Sequence, residues 1–205
     1  MSESITHHAV HRDDEGSKLG IWLFIFTELL FFGGLFITYA VYRQRNPVAF
    51  HLAGEQLDVV IGTINTVILL ISSMTIAMAT TSIQKKDKRA TLILIGITLF
   101  LALVFLVNKY FEWSAKIGHG IWPGSPLLEE LGRGDILFFG LYYFMTGLHA
   151  LHIIIGMVLL AVILVRVAKN KITFDNFQLL ENGGLYWHLV DLIWIFLFPL
   201  FYLIA

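Results

Sequence analysis

Residues 19–42 read LGIWLFIFTELLFFGGLFITYAVY, and only one position in that stretch, Glu28, carries a charge. The hydrocarbon core of a bilayer is about 30 Å thick and a helix rises about 1.5 Å per residue, so about 20 apolar residues are enough to cross it. The stretch is long enough to span. Backbone N–H and C=O groups find no water in lipid, so a segment of this kind has to satisfy them internally, as a helix does.

Working outward, four more stretches share this character, at 59–80, 90–111, 136–165 and 184–205. The fourth of the five is the longest and is expected to tilt or protrude. The fold class is therefore all-α, an integral membrane bundle of five transmembrane helices. It forms a single domain over 19–205, preceded by a polar tail over 1–18. That tail carries His7, His8, His11, Arg12, Asp13, Asp14 and Glu15 and lacks the apolar core of a secretory signal. No internal repeat and no inverted pair of broken helices of the transporter kind is visible.

Composition agrees: 57% of residues are hydrophobic and 14% charged, with a mean hydropathy of +0.76, values that belong in lipid. Seventeen Phe, seven Tyr and five Trp suit helix packing and interfacial ring belts. The absence of cysteine excludes disulfides, thiolate metal sites, iron–sulfur clusters and cysteine-attached haem. A net charge of −1 does not point to nucleic acid.

Lys and Arg set the orientation. Nine fall on one side of the five crossings: Arg12, Lys18, Lys85, Lys86, Lys88, Arg89, Arg166, Lys169 and Lys171. Five fall on the other: Arg43, Arg45, Lys109, Lys116 and Arg133. The N-terminus is expected in the cytoplasm and the C-terminus outside.

An ionisable group at the centre of a spanning helix costs at least about 2.5–3.5 kcal/mol on insertion scales, so each one asks for a reason. Glu28, about 14 Å into the first helix at 1.5 Å per residue, is the most anomalous. It is either a proton-handling or partner-binding carboxylate kept protonated by burial, or a neutral acid hydrogen-bonded to a neighbouring helix. His149 and His152 sit three apart on the fourth helix, and His188 and Asp191 repeat that spacing on the fifth, each pair on one helix side. Two readings stand. In one, His149 and His188 ligate haem from facing helices. In the other, Glu28, His149, His152, His188 and Asp191 form a buried polar cluster that holds the helices together. Asn65 is expected as interhelical glue, with Ser72, Ser73, Thr75, Ala77 and Ala79 allowing close approach. Pro199 should bend the last turns. Glu112, Glu129, Glu130 and Asp135 flank the Ile121-Trp122-Pro123-Gly124 turn and are expected to be solvated. Phosphate-binding glycine loops, serine-nucleophile elbows and HExxH motifs are absent.

Several segments together resemble subunit III of the haem-copper terminal oxidases, in its short five-helix bacterial form. They are Trp22-Leu23-Phe24-Ile25-Phe26-Thr27-Glu28-Leu29-Leu30-Phe31-Phe32, Ile64-Asn65-Thr66-Val67-Ile68-Leu69-Leu70, the helix running Gly147-Leu148-His149-Ala150-Leu151-His152-Ile153-Ile154-Ile155-Gly156, and Tyr186-Trp187-His188-Leu189-Val190-Asp191-Leu192-Ile193-Trp194. Tyr110-Phe111-Glu112-Trp113 is a weaker fifth match. Longer members of the family begin with two further helices that this sequence lacks, and some relatives supply the equivalents from the catalytic subunit.

The resemblance implies a subunit of a respiratory cytochrome c or quinol oxidase, which reduces oxygen to water in aerobic electron transport while translocating protons across the bacterial inner membrane. It places Glu28 on the carboxylate known for reactivity toward carbodiimides. It also implies that this chain has no catalytic, cofactor-binding or metal-ligating residue. Haem and copper would reside in partner subunits, and phospholipid would bind here. The implied partners are subunit I as main contact, subunits II and IV, membrane lipid, and an electron-donating complex in a supercomplex. The implied role is support of complex stability and sustained proton uptake. The alternatives are a related accessory subunit of a nitric oxide reductase system, a haem-b membrane cytochrome built on His149 and His188, and a small proton-coupled transporter using Glu28.

Overall fold

The computed structural model describes residues 14–204. Five long helices carry the architecture: α1 (Asp14–Arg45), α3 (Val59–Gln84), α4 (Lys88–Gly118), α6 (Arg133–Ala168) and α7 (Gln178–Phe198). Each is long and apolar enough to cross a membrane. Two short helices, α2 (Pro47–Gly54) and α5 (Pro126–Leu131), lie in the connections at one end of the bundle. The expected polar tail falls outside the described residues up to Asp13, and Asp14 to Lys18 form the first turn of α1 instead.

The helices start and stop where backbone chemistry allows. Asp58 accepts from the amides of Val60 and Ile61 at the start of α3, and Asp87 accepts from Ala90 at the start of α4. Between α3 and α4 the chain reverses in three residues, with Lys86 in the left-handed region at φ 62°. The tight turn makes these two helices an antiparallel pair packed side by side. Their contact is close because the facing residues are small: Thr75 and Thr98 share a 2.8 Å hydroxyl bond and Ala79 and Ala102 are fully buried.

α7 is the central element, packing on α3, α6 and α1. More than half of its apolar stretch is buried, against 6% for α1, which packs on α7 and α6. Glycines let α7 approach: a Cβ on Gly156 would stand 2.9 Å from the rings of Trp187 and Tyr186. The indole of Trp187 donates to Ser72 Oγ at 3.0 Å and that of Trp194 to Thr66 Oγ1 at 3.0 Å, so both large rings bury their apolar bodies and still satisfy their N–H. Beyond Phe198 the last turns, Pro199–Leu203, widen to a π-helical turn at the proline that cannot donate. Tyr39 on α1 donates to Leu200 O at 2.7 Å and ties this end down.

Candidate functional site

The residues singled out in the sequence divide into separate groups within the bundle. Glu28 of α1 meets His152 of α6, with Oε2 3.2 Å from Nε2, and both side chains are mostly buried. His152 Nδ1 lies 2.8 Å from the carbonyl oxygen of Leu148. A carbonyl can only accept, so Nδ1 carries the hydrogen and Nε2 faces the carboxyl. The two side chains stand at ion-pair distance, while Glu28 Oε2 makes no hydrogen bond of good geometry among the described residues. The edge of Phe32 and the stacked pair Phe24–Tyr186 close around them.

His149, one turn away on α6, has a different setting. It is fully buried, stacked on Trp194 at 5.1 Å with Phe105 edge-on at 5.7 Å, and neither ring nitrogen has a hydrogen-bond partner among the described residues. On α7, His188 Nδ1 lies 2.6 Å from Ser73 Oγ of α3. Ser73 is also the polar group beside the carboxyl of Asp191, which is buried yet makes no hydrogen bond of good geometry. Among the described residues no hydrogen bond or ion pair joins the Glu28–His152 pair or His149 to the His188–Ser73–Asp191 group. Glu28, expected to reach His188 and Asp191, stands instead beside His152 of α6. Asn65 Oδ1 accepts from Asn108 Nδ2 at 2.8 Å, bridging α3 to α4.

A second buried polar region sits near the α2/α5 end, where sequence reasoning placed solvent. The expectation that Glu112 is solvated is overturned: α4 runs past 111 to Gly118, and its residues Lys109, Glu112 and Lys116 are all buried. Lys109 Nζ donates to Glu112 Oε2 at 3.0 Å, Tyr142 Oη at 3.1 Å and Tyr202 Oη at 2.9 Å. The two tyrosine hydroxyls donate in turn to Glu112 Oε1 at 2.6 and 2.5 Å. Every ammonium hydrogen is used, and the carboxylate accepts three bonds. The ammonium also stands over the rings of Tyr142, Trp194 and Tyr202 at 5.0, 5.3 and 5.6 Å. Lys116 donates to Gln56 O at 3.0 Å and anchors the connection before α3. The signal that could have found this cluster was spacing: 109, 112 and 116 lie on one helical face. Of the other acids near that turn, Glu130 is exposed and Asp135 is partly buried in the first turn of α6. Nothing is described of the Glu129 side chain.

At the opposite end, Arg166, Lys169 and Lys171 cap a groove of about 670 Å³ whose walls are Val158, Ala161, Val162 and Val165 of α6. Among the described residues no three His, Asp or Glu side chains gather within reach of one metal ion.

A sequence model for cytochrome c oxidase subunit III matches residues 2–205. A probable quinol oxidase subunit 3 from Staphylococcus saprophyticus is 30% identical over 196 residues, covering 95% of this chain and 92% of its own. The cytochrome c oxidase subunit 3 of Alkalihalophilus pseudofirmus is 30% identical over 209 residues, covering 100% of this chain and 95% of its own. A protein named heme-copper oxidase subunit I+III from Aeropyrum pernix is 33% identical over 196 residues, 91% of this chain, and the chain spans 22% of that relative's length. With five spanning helices and a match along its whole length, the chain belongs to the cytochrome c oxidase subunit III family, as a multi-pass membrane subunit of a respiratory oxidase.

Proposed function

We infer that this chain is a non-catalytic subunit of a haem-copper oxidase of the bacterial inner membrane, and that it packs on a catalytic subunit holding the haem and copper. The observation that carries this reading is the family match over residues 2–205, combined with ionisable groups inside the bundle that meet other side chains of this chain, as Lys109 meets Glu112, Glu28 meets His152 and His188 meets Ser73. The Aeropyrum pernix relative, whose name joins I and III in one protein, supports subunit I as the main contact. Nine basic residues against five support a cytoplasmic N-terminus and an outer C-terminus.

Two features support a role in sustaining turnover. The Glu28–His152 pair sets a carboxyl and an imidazole together within the bundle, between α1 and α6. The groove at the end of α6 offers three cationic side chains above an apolar wall, the chemistry that holds an anionic phospholipid by its phosphate and one acyl chain. Purification in mild detergent through a tag on this chain, followed by identification of co-eluting polypeptides and an optical spectrum, tests the reading. The expected result is a complex whose haem belongs to a larger partner. A Soret band that stays with the isolated chain would overturn it in favour of a cytochrome built on His149 and His188. In the complex, a carbodiimide is expected to label Glu28, and Glu28→Gln is expected to abolish the label.

A further inference from the structure

Removing one electron from a phenol turns its O–H into a strong acid, so a tyrosine is oxidised easily where a base stands ready for the proton. Among the described residues the hydroxyls of Tyr39, Tyr143 and Tyr186 donate to the carbonyl oxygens of Leu200, Ile121 and His152. A carbonyl accepts a hydrogen bond but does not keep a proton at neutral pH. Tyr142 and Tyr202 differ. Both donate to one carboxylate oxygen, Glu112 Oε1, at 2.6 and 2.5 Å.

Lys109 completes the arrangement. Its ammonium donates to the two phenol oxygens at 3.1 and 2.9 Å, so a phenoxyl oxygen that has lost its hydrogen still has a donor. The same cation stands 5.3 Å from the ring centre of Trp194, where it opposes positive charge on the indole. The indole N–H of Trp194 faces a hydroxyl, Thr66 Oγ1, which is no base. An oxidising equivalent in this region is therefore held as a neutral phenoxyl radical and not on the indole.

The pair is also connected to the edge of the bundle. Ring centres lie 6.4 Å apart from Tyr202 to Tyr142, 5.3 Å from Tyr142 to Tyr143 and 5.6 Å from Tyr143 to Trp113. These are contact distances for aromatic neighbours, over which an electron passes directly from ring to ring. Tyr142 and Tyr202 are covered, whereas Tyr143 and Trp113 are partly buried.

We propose that Tyr142, Tyr202 and Glu112 form a one-electron oxidation site, reached through Tyr143 and Trp113, that takes up oxidising equivalents from peroxyl radicals of the surrounding lipid. A peroxyl radical at the bundle edge takes one electron from Trp113 and one proton from interfacial water and becomes a hydroperoxide. Tyr142 or Tyr202 replaces that electron through Tyr143, and its phenol proton passes to Glu112 Oε1. A hydroquinone dissolved in the bilayer returns the electron along the same rings and loses its own proton to water, and Glu112 gives the phenol its proton back. The site is made of this chain's residues alone and does not depend on the subunit reading.

The full chain in liposomes of unsaturated phosphatidylcholine, exposed to peroxyl radicals from a lipid-soluble azo initiator and frozen for electron paramagnetic resonance, tests the proposal. The wild-type chain is expected to show a tyrosyl spectrum, which ring-deuterated tyrosine narrows. A tryptophan radical, or none, overturns the proposal without recourse to any variant. Tyr142→Phe/Tyr202→Phe keeps both rings and is expected to lower the tyrosyl yield about fivefold or more, as is Glu112→Gln, whose amide takes up no proton. Tyr186→Phe, which removes a phenol set on a carbonyl, is expected to leave the yield unchanged. Trp113→Phe is expected to slow the appearance of the signal. Undiminished yield in the double variant or in Glu112→Gln overturns the site, and so does a loss in Tyr186→Phe as large as theirs. Unslowed appearance in Trp113→Phe overturns the route.

Discussion

The bundle contains two buried polar regions of opposite completeness. Near the α2/α5 end, Lys109, Glu112, Tyr142 and Tyr202 satisfy one another, with six bonding contacts among four side chains including a 3.4 Å approach of the two hydroxyls. Deeper in the bundle, Glu28 and His152 meet at 3.2 Å without a hydrogen bond of good geometry, and His149 and Asp191 leave their side-chain heteroatoms without such a bond among the described residues. The closed network serves the fold, since it joins α4 to α6 and to the π-helical turn that ends the chain. The open groups lie on α1, α6 and α7, with His149 enclosed by Trp194 and Phe105. Satisfied polar groups rigidify, and unsatisfied ones in hydrocarbon mark where something else completes the structure.

The largest expected effect breaks the closed network. Lys109→Met leaves a carboxylate buried with its cation gone, a change that costs about 3–5 kcal/mol when one partner of a buried pair is removed. Unfolding of the purified subunit by denaturing detergent, followed by helix signal, should show that loss. The double variant Lys109→Met/Glu112→Leu removes the stranded charge, and the hydroxyls of Tyr142 and Tyr202, already 3.4 Å apart, can turn to each other. It is expected to regain most of the stability. A double variant as unstable as Lys109→Met would mean that the charges themselves, and not their mutual compensation, hold this end together.

Next in size is the half-satisfied pair. Glu28→Gln and His152→Phe should each cost about 1–3 kcal/mol, the range for leaving a buried polar group without its partner. Because the two side chains touch, their effects should not add: a double-mutant cycle is expected to return a coupling of about 1–2 kcal/mol. Additive losses would show that Glu28 finds its partner elsewhere. A smaller loss, about 0.6 kcal/mol, is expected for Asn65→Ala, the average for a hydrogen bond between membrane helices, in the same unfolding assay.

The contrast between these regions also explains what the sequence disclosed. Five spans could be seen because lipid imposes one rule, apolar length, on every helix. Glu28, His149, His152, His188 and Asp191 stood out because each interrupts an apolar run. Lys109 and Glu112 did not, since both lie at the end of the 90–111 run, where a charge resembles the start of a loop. What was missing is tertiary: α4 continues two turns beyond its apolar stretch, and the rings of Tyr142 and Tyr202 come from residues 33 and 93 positions away to cover the charges. The pairing of Glu28 with His152, and not with α7, depends on how α1 leans, which no periodicity in one helix can report.

The smallest effect separates the regions most sharply. His149 is enclosed by Trp194 and Phe105 with both nitrogens unpaired, so the folded chain already bears the cost of dehydrating them. His149→Phe keeps a flat ring against the indole and removes two polar atoms that make no bond. Replacing a buried polar group that has no partner by an apolar group of similar shape is close to neutral or stabilising. The isolated subunit is therefore expected to unfold within about 0.5 kcal/mol of the wild type, or somewhat later. A loss above about 2 kcal/mol would show that His149 is bonded in the membrane, through a water or a partner group, and would move it from the open region to the closed one.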